Sequence, residues 1–215
     1  MCDYAGTGMS VLELSHRSHE FAMISEKAKN DLREFLQIPL HYKIFFFQGG
    51  ASMQYGAVIK NMIRPDANGK VWPANYLNTG LWSNQALSEA KNMMPVPPNE
   101  MASGADSKYT QIEEPSKWNI DKNGSYVHYC QNETVHGFQF QDEGAATFPF
   151  EMFKGMPIVC DMSSDIGSRR VDWNKFGVVY AGAQKNLGAA GCTVVIVRED
   201  LIGHQAKDTP FLLNW

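Results

Sequence analysis

The sequence predicts an α/β domain built on a mixed, mainly parallel sheet with helices on both faces. Two observations carry this expectation. Short apolar runs alternate along the chain with helical or loop segments, the pattern of strands buried on both sides. Several of these runs end in glycine or polar residues, where ligands gather in sheets of this kind.

The elements follow in order. Phe21, Ala28, Leu32, Phe35 and Leu36 recur at helical spacing between Glu20 and Ile38, and Pro39 stops the pattern. Tyr42 to Phe47 is a buried strand, ended by the turn Gln48-Gly49-Gly50. Ser52 can cap a helix over Gln54 to Met62. A weak strand, Asn75 to Asn78, ends at Thr79-Gly80, and a helix is expected over Ser83 to Ala90. Residues 92 to 124, rich in Pro, Gly and polar groups, read as loop. Further strands are Tyr126 to Cys130, Pro157 to Cys160, Gly177 to Ala181 and Thr193 to Val197. The third of these runs into Gly182-Ala183-Gln184-Lys185. There is no internal repeat.

Composition narrows the function classes. With 215 residues the chain is long enough for one large domain, or one domain and the start of another. It is 44% hydrophobic and 20% charged, the balance of a globular protein. The net charge of -4 gives no basic field for a nucleic acid. No apolar run approaches membrane-spanning length. The four cysteines, Cys2, Cys130, Cys160 and Cys192, are widely spaced with no CxxC pair. That fits free thiols and a cytoplasmic location rather than a disulfide scaffold. The segment Met1 to Gly6 has no basic and then apolar character, which predicts no signal peptide. His16, His19 and His136 lack metal-ligand spacing. The 11 methionines are scattered and read as core filler.

Five strand-end features carry chemistry when taken together. Asp161 closes an apolar strand; it is either a capping residue or a buried carboxylate facing a cationic ligand atom. Lys185 lies in a turn of small residues, which let a ligand approach the backbone. A lysine there is expected to lose hydration and act as an imine-forming amine, the alternative being a solvated surface lysine. The Gln48 to Gln54 turn places backbone N–H groups at a helix start, a ready anion site, although it is neither GxxxxGK[ST] nor GxGxxG. Trp82 can stack on a flat heteroaromatic ring, or it is core. Thr134 can donate to a ring substituent, or it is a turn residue. Before the first helix, Arg17 can clamp a carboxylate or join a surface ion pair.

These residues resemble a family. Gly6-Thr7-Gly8-Met9-Ser10, Ser15-His16-Arg17-Ser18, Gln48 to Tyr55, Asn132 to Gly137, Cys160 to Ser164 and Ala181 to Asn186 occur in the order found in the phosphoserine aminotransferases. That family lies within class V of the pyridoxal 5′-phosphate (PLP) aminotransferases of fold type I. The resemblance implies a PLP-binding large domain over residues 1–205, with 206–215 beginning a C-terminal small domain. Lys185 would carry PLP as a Schiff base and act as the catalytic residue. Asp161 would pair with the pyridinium nitrogen, Trp82 would stack on the ring, and Thr134 would bond its ring side. Ala51, Ser52 and Gln184 would hold the phosphate. Arg17 would bind the substrate's α-carboxylate.

The reaction implied is reversible amino transfer between glutamate with 3-phosphohydroxypyruvate and 2-oxoglutarate with O-phosphoserine, in L-serine biosynthesis, by a homodimer. The family extends further at both ends. A non-catalytic PLP-binding or dimerising module is therefore an alternative. Another class V chemistry, such as desulfuration using Cys192, is a second.

Overall fold

A computed structural model describes residues 3–144 and 146–215. Met1 and Cys2 lie outside the described residues. By its contacts the chain divides into two units, Met1–Pro39 and Leu40–Trp215.

The first unit holds one long helix, α1 (His19–Leu36). Ser18 caps it, its Oγ accepting from the Phe21 N–H at 3.2 Å, which satisfies one donor that a helix start leaves orphaned. The helix ends at Gln37, in the left-handed conformation. That is two residues ahead of Pro39, because the residue before a proline is pushed out of the helical region.

The second unit is a seven-stranded mixed sheet. Its strands are β1 (Tyr42–Phe47), β2 (Asn75–Asn78), β3 (Asn99–Ser103), β4 (Val127–Cys130), β5 (Ile158–Asp161), β6 (Val178–Gly182) and β7 (Thr193–Arg198). They lie in the order β1-β7-β6-β5-β4-β2-β3. Neighbours from β6 across to β3 are parallel, while β7 runs antiparallel to both β6 and β1. The expected mainly parallel α/β sheet is therefore present. β3 lies inside residues 92 to 124, expected as loop, because Asn99-Glu100-Met101-Ala102-Ser103 lacks the apolar run that marks the others. As the last strand of the sheet it needs little apolar character, and it pairs with β2 alone.

Two helices belong to this unit, α2 (Gly50–Met62) and α3 (Leu81–Met93). Tyr55, Val58, Ile59 and Met62 of α2 and Ala86, Leu87 and Ala90 of α3 share one core with Tyr76, Val159, Val178, Tyr180 and Val195. Strand side chains alternate between faces, so both helices of this unit cover the same face, rather than one on each face as the sequence predicts. The alternate set, Tyr129 among it, meets an aromatic cluster carried by loops and short 3-10 turns. The Phe148 ring stacks on Tyr129 at 4.0 Å between centroids and on Phe153 at 5.4 Å, and it meets Phe140 edge-on at 5.4 Å.

Parallel strands bring their carboxyl ends to one edge. The exits of β1, β2, β4, β5 and β6 lead to Gly49, Thr79, Gln131, Asp161 and Ala183. Residues 206–215 lie along α2: the Ala206 N–H donates to the Lys60 carbonyl, Lys60 Nζ meets Asp208 at 2.6 Å, and the Trp215 indole donates to Gln54 Oε1 at 3.3 Å.

Phe148 is 2% exposed and meets five rings, those of Trp118, Tyr129, Phe140, Phe150 and Phe153. Phe148→Ala is expected to cost about 3–5 kcal/mol, and Phe148→Leu clearly less. Urea denaturation checks both; a loss under about 0.5 kcal/mol for the alanine variant would place this cluster outside the core.

Candidate functional site

At the carboxyl edge of the sheet lies a cavity of about 230 Å³. Ala51, Ser52, Trp82, Asp161, Gln184 and Lys185, six of the residues expected from sequence, line it. Tyr55, Cys130, Asn132, Ser163 and Ser164 complete the wall with Gly50. Thr134 stands at its rim, bonded to two of the lining side chains. Arg17 belongs to the other unit, where it is exposed and its N–H donates to Ser15 Oγ at 3.2 Å.

The Gly49-Gly50 turn builds one wall. Gly49 has φ +89°, and an added Cβ would lie 2.8 Å from Met53, so only glycine fits. Gly50 has φ +68°. The pair turns the chain from β1 into α2 within two residues. Ser52 does not cap this helix, contrary to the expectation. Gly49 is the cap residue, no side chain caps it, and Ser52 lies inside the first turn. The helix starts earlier than sequence periodicity suggested because its first turn faces the cavity and carries no apolar stripe. The N–H groups of Gly50, Ala51 and Ser52 therefore find no hydrogen-bond partner among the described residues. Three such donors at the positive end of a helix dipole form an anion site.

The start of α3 is the opposite case, since all three of its first N–H groups are taken up by the loop after β4. The Leu81 N–H donates to His136 Nδ1 at 3.1 Å. The Trp82 N–H donates to Glu133 Oε2 and the Ser83 N–H to Glu133 Oε1, both at 2.9 Å. Glu133 is completely buried. The sequence reading passed over it, because a glutamate in a loop reads as solvated. The available signal was its place beside Thr134 at a strand end.

Asp161 ends β5 and is 4% exposed. Its Oδ1 accepts from the Ser163 N–H at 2.9 Å. No ion pair joins it to a cation among the described residues. Burial raises its carboxyl from 3.8 to about 6; the Ser163 hydrogen bonds pull the other way, and the Glu133 charge adds to the rise. Of the two roles considered for Asp161, a buried carboxylate facing the cavity describes its position. Tyr55 is 5% exposed, and burial together with the Asp161 charge pushes its phenol up, so it stays protonated. Burial also raises the Cys130 and Cys192 thiols, which argues against a thiolate nucleophile.

Lys185 follows the exit of β6. Its Nζ donates to Thr134 Oγ1 at 2.8 Å and stands 5.0 Å from the centre of the Trp82 ring. The Trp82 indole also donates to Thr134 Oγ1, at 2.9 Å. Both lone pairs of that oxygen are then used, leaving its own O–H to donate. The expected loss of hydration at Lys185 is not met, since the residue is exposed. The small residues beside it are the reason: Gly188, Ala189 and Ala190 are themselves exposed and cannot cover it.

A larger cavity, about 410 Å³, opens near the amino end of β5 and contains none of these residues. Two of its cations are engaged. Arg198 holds Asp200 through two hydrogen bonds, at 2.6 and 3.0 Å. Lys175 lies 3.8 Å from Asp172 and over the Phe150 ring. Among the described residues no group of three metal-ligating side chains is assembled.

The model of the class V aminotransferases matches residues 1–210. The chain belongs to the class V aminotransferase family. A phosphoserine aminotransferase of Pseudomonas putida is 45% identical over all of this chain and 56% of its own length. One of Chromobacterium violaceum is 44% identical, with the same coverage. A PLP-bound phosphoserine aminotransferase from Trichomonas vaginalis superposes with a TM-score of 0.86 at 33% identity, over 100% of this chain and 60% of that one. This class V chain thus spans little more than half the length of the curated relatives it matches.

Asp161 supplies a pH test with a definite sign. Its native carboxyl holds a proton to higher pH than the unfolded chain does. The stability this contributes is full below about pH 4 and is lost as pH rises through about 6. Asp161→Asn removes that loss and keeps the acceptor for Ser163. Without cofactor, the variant is expected to be more stable than the parent by about 2–3 kcal/mol at pH 8, and equal to it near pH 4. Thermal melts across this range check it; a variant less stable at pH 8 would show that the carboxylate is not held against its desolvation.

Proposed function

We propose that this chain binds PLP and is the large part of a phosphoserine aminotransferase. In this reading it carries amino groups between glutamate with 3-phosphohydroxypyruvate and 2-oxoglutarate with O-phosphoserine. One observation supports the reading most: a single cavity joins an amine, a buried carboxylate with no ion pair among the described residues, a tryptophan ring and a helix start whose first three N–H groups have no partner among the described residues.

Each part answers a part of the cofactor. Asp161 would face the ring nitrogen, whose positive charge offsets the desolvation of the carboxylate. The α2 start, with Ala51 and Ser52, would hold the phosphate through backbone N–H groups, with Gln184 beside it. Trp82 would stack on the ring, and Thr134 would direct its O–H to a ring substituent. Lys185 would attach the cofactor covalently. When bound, PLP supplies an electron sink for the charge left at the substrate's α-carbon.

The chain's own residues would do the rest. Asp161 keeps the ring nitrogen protonated. Lys185 Nζ is the base within reach that can take the α-proton and return it. Thr134 holds that amine against the Trp82 face. Arg17 would bind the α-carboxylate with its planar fork. We also propose a large domain over 1–205, a small domain beginning at 206–215, a homodimer, and a cytoplasmic location in L-serine biosynthesis. No described helix is long and apolar enough to cross a membrane. A second reading is a PLP-binding module that does not turn over; the exposed position of Lys185 supports it.

Two measurements separate these readings. Borohydride reduction in the presence of PLP should label one peptide, the one containing Lys185, and Lys185→Ala should abolish the label. Undiminished labelling of that variant would overturn the assignment. Transamination of O-phosphoserine with 2-oxoglutarate should then fall about 10²–10⁴-fold in Lys185→Ala. A labelled parent with no turnover would favour the module.

A further inference from the structure

We propose that Glu133 is a positioning residue of this site: its buried carboxylate fixes the start of α3, and with it the Trp82 ring and the Lys185 amine. The proposal rests on the reading of the cavity as a PLP site.

Glu133 is completely buried, in the loop that leaves β4. Its own backbone is tied at both ends. Its N–H donates to the Phe138 carbonyl at 2.8 Å, and its carbonyl accepts from the Gly137 N–H at 2.7 Å. The carboxylate accepts three bonds from α3: the Trp82 N–H at 2.9 Å, the Ser83 N–H at 2.9 Å and the Ser83 hydroxyl at 2.6 Å. No cation pairs with it among the described residues. Its carboxyl oxygens are met by hydrogen bonds at the positive end of the α3 dipole.

The sequence around α3 is arranged for this contact. Gly80 precedes the helix, and an added Cβ would lie 2.6 Å from the Glu133 Cδ. A residue at position 80 able to cap α3 with its own side chain would therefore displace Glu133. Ser83 Oγ takes the Thr79 and Gly80 N–H groups, at 2.8 and 3.1 Å, while the acceptor for the Trp82 and Ser83 N–H groups comes from 53 residues beyond Gly80, on the element that also carries Thr134.

That choice has a geometric result. Residues 133 and 134 hold Trp82 from two directions. Glu133 takes its backbone N–H, and Thr134 takes its indole N–H and the Lys185 amine. The ring is fixed at both ends of its side chain by one loop, and the same loop sets the distance from ring to amine. A cap formed within α3 would stabilise the helix equally but would not tie the ring to the amine.

The test separates positioning from simple helix capping. Glu133→Gln keeps one acceptor oxygen and presents an NH₂ group to the second N–H. Ser83→Ala removes the hydroxyl bond to Glu133 and the acceptor of the Thr79 and Gly80 N–H groups, so it weakens the helix cap, but it leaves both bonds to Trp82. The readouts are PLP dissociation by dialysis, the visible circular dichroism of bound PLP, and the denaturation midpoint. Both variants should lower the midpoint. Glu133→Gln should weaken PLP binding about tenfold and shrink the visible dichroism, while Ser83→Ala stays within about twofold of the parent.

In a Trp82→Phe background the Glu133→Gln effect on binding should shrink, because it acts through the ring. If Glu133→Gln fails to fold, Glu133→Asp, which keeps the charge but withdraws it, should show the same pattern more mildly. Parent-like binding and dichroism in the Glu133 variant would overturn the proposal. So would losses in Ser83→Ala as large as those in Glu133→Gln. A parent that binds no PLP would overturn both the proposal and the reading of the site. A parent labelled at Lys185 beside an unaffected Glu133 variant would overturn the proposal alone.

Discussion

The arrangement of this site depends on the cost of holding a carboxylate away from water. Asp161 sits at the end of an inner strand, where burial opposes its charge more strongly than its hydrogen bonds from Ser163 favour it. Glu133, the second buried carboxylate of the cavity region, adds to that opposition through space. The two have different compensation. Glu133 has its donors within the protein, three of them from the first turn of α3. Asp161 has the Ser163 backbone and an open cavity. A parallel sheet makes such a position available, because its strands end together and the space beyond them is framed by helix starts. Asymmetric compensation then leaves one acceptor satisfied and the other receptive to a cation.

The two helix starts repeat this asymmetry with the opposite sign. The first N–H groups of α3 are occupied by Glu133 and His136, while those of α2 have no partner among the described residues. The difference originates in single residues. Gly80 makes room for a carboxylate from a distant loop, whereas Gly49 and Gly50 turn the chain without supplying any side chain. Two helices of the same length on the same face therefore do different work. One is an internal brace, and the other presents its first turn to the cavity.

Much of this was legible from the residues. The strands β4, β5, β6 and β7 are apolar runs buried on both faces, whereas β1, expected as a buried strand, lies at the sheet's end with Lys43 and Phe46 exposed; the glycine turn and strand-end polar residues marked the edge where the cavity lies. Polar β3 was hidden because it pairs on one side only, so the periodic signal is not required of it. The Ser52 cap was misread because a glycine turn does the capping geometry with its backbone. The exposure of Lys185 was missed because small neighbours signal access without saying whether anything covers the amine. Glu133 escaped notice because its partners lie some 50 residues away in sequence, and no local pattern encodes a tertiary hydrogen bond.

The single antiparallel strand has a consequence for how the site is assembled in time. β6 and β7 are joined by a short connection whose ends pair directly, Gly182 with Thr193, and whose Ala183 N–H donates to the Cys192 carbonyl. The segment bearing Lys185 is thus a hairpin loop, of a size that closes within about 10–100 ns in a free chain and with small entropic loss. The loop that meets it, bearing Thr134, lies 51 residues away. The amine is consequently delivered by the most local contact in the sheet. Its surroundings await the slower, long-range docking of the parallel strands.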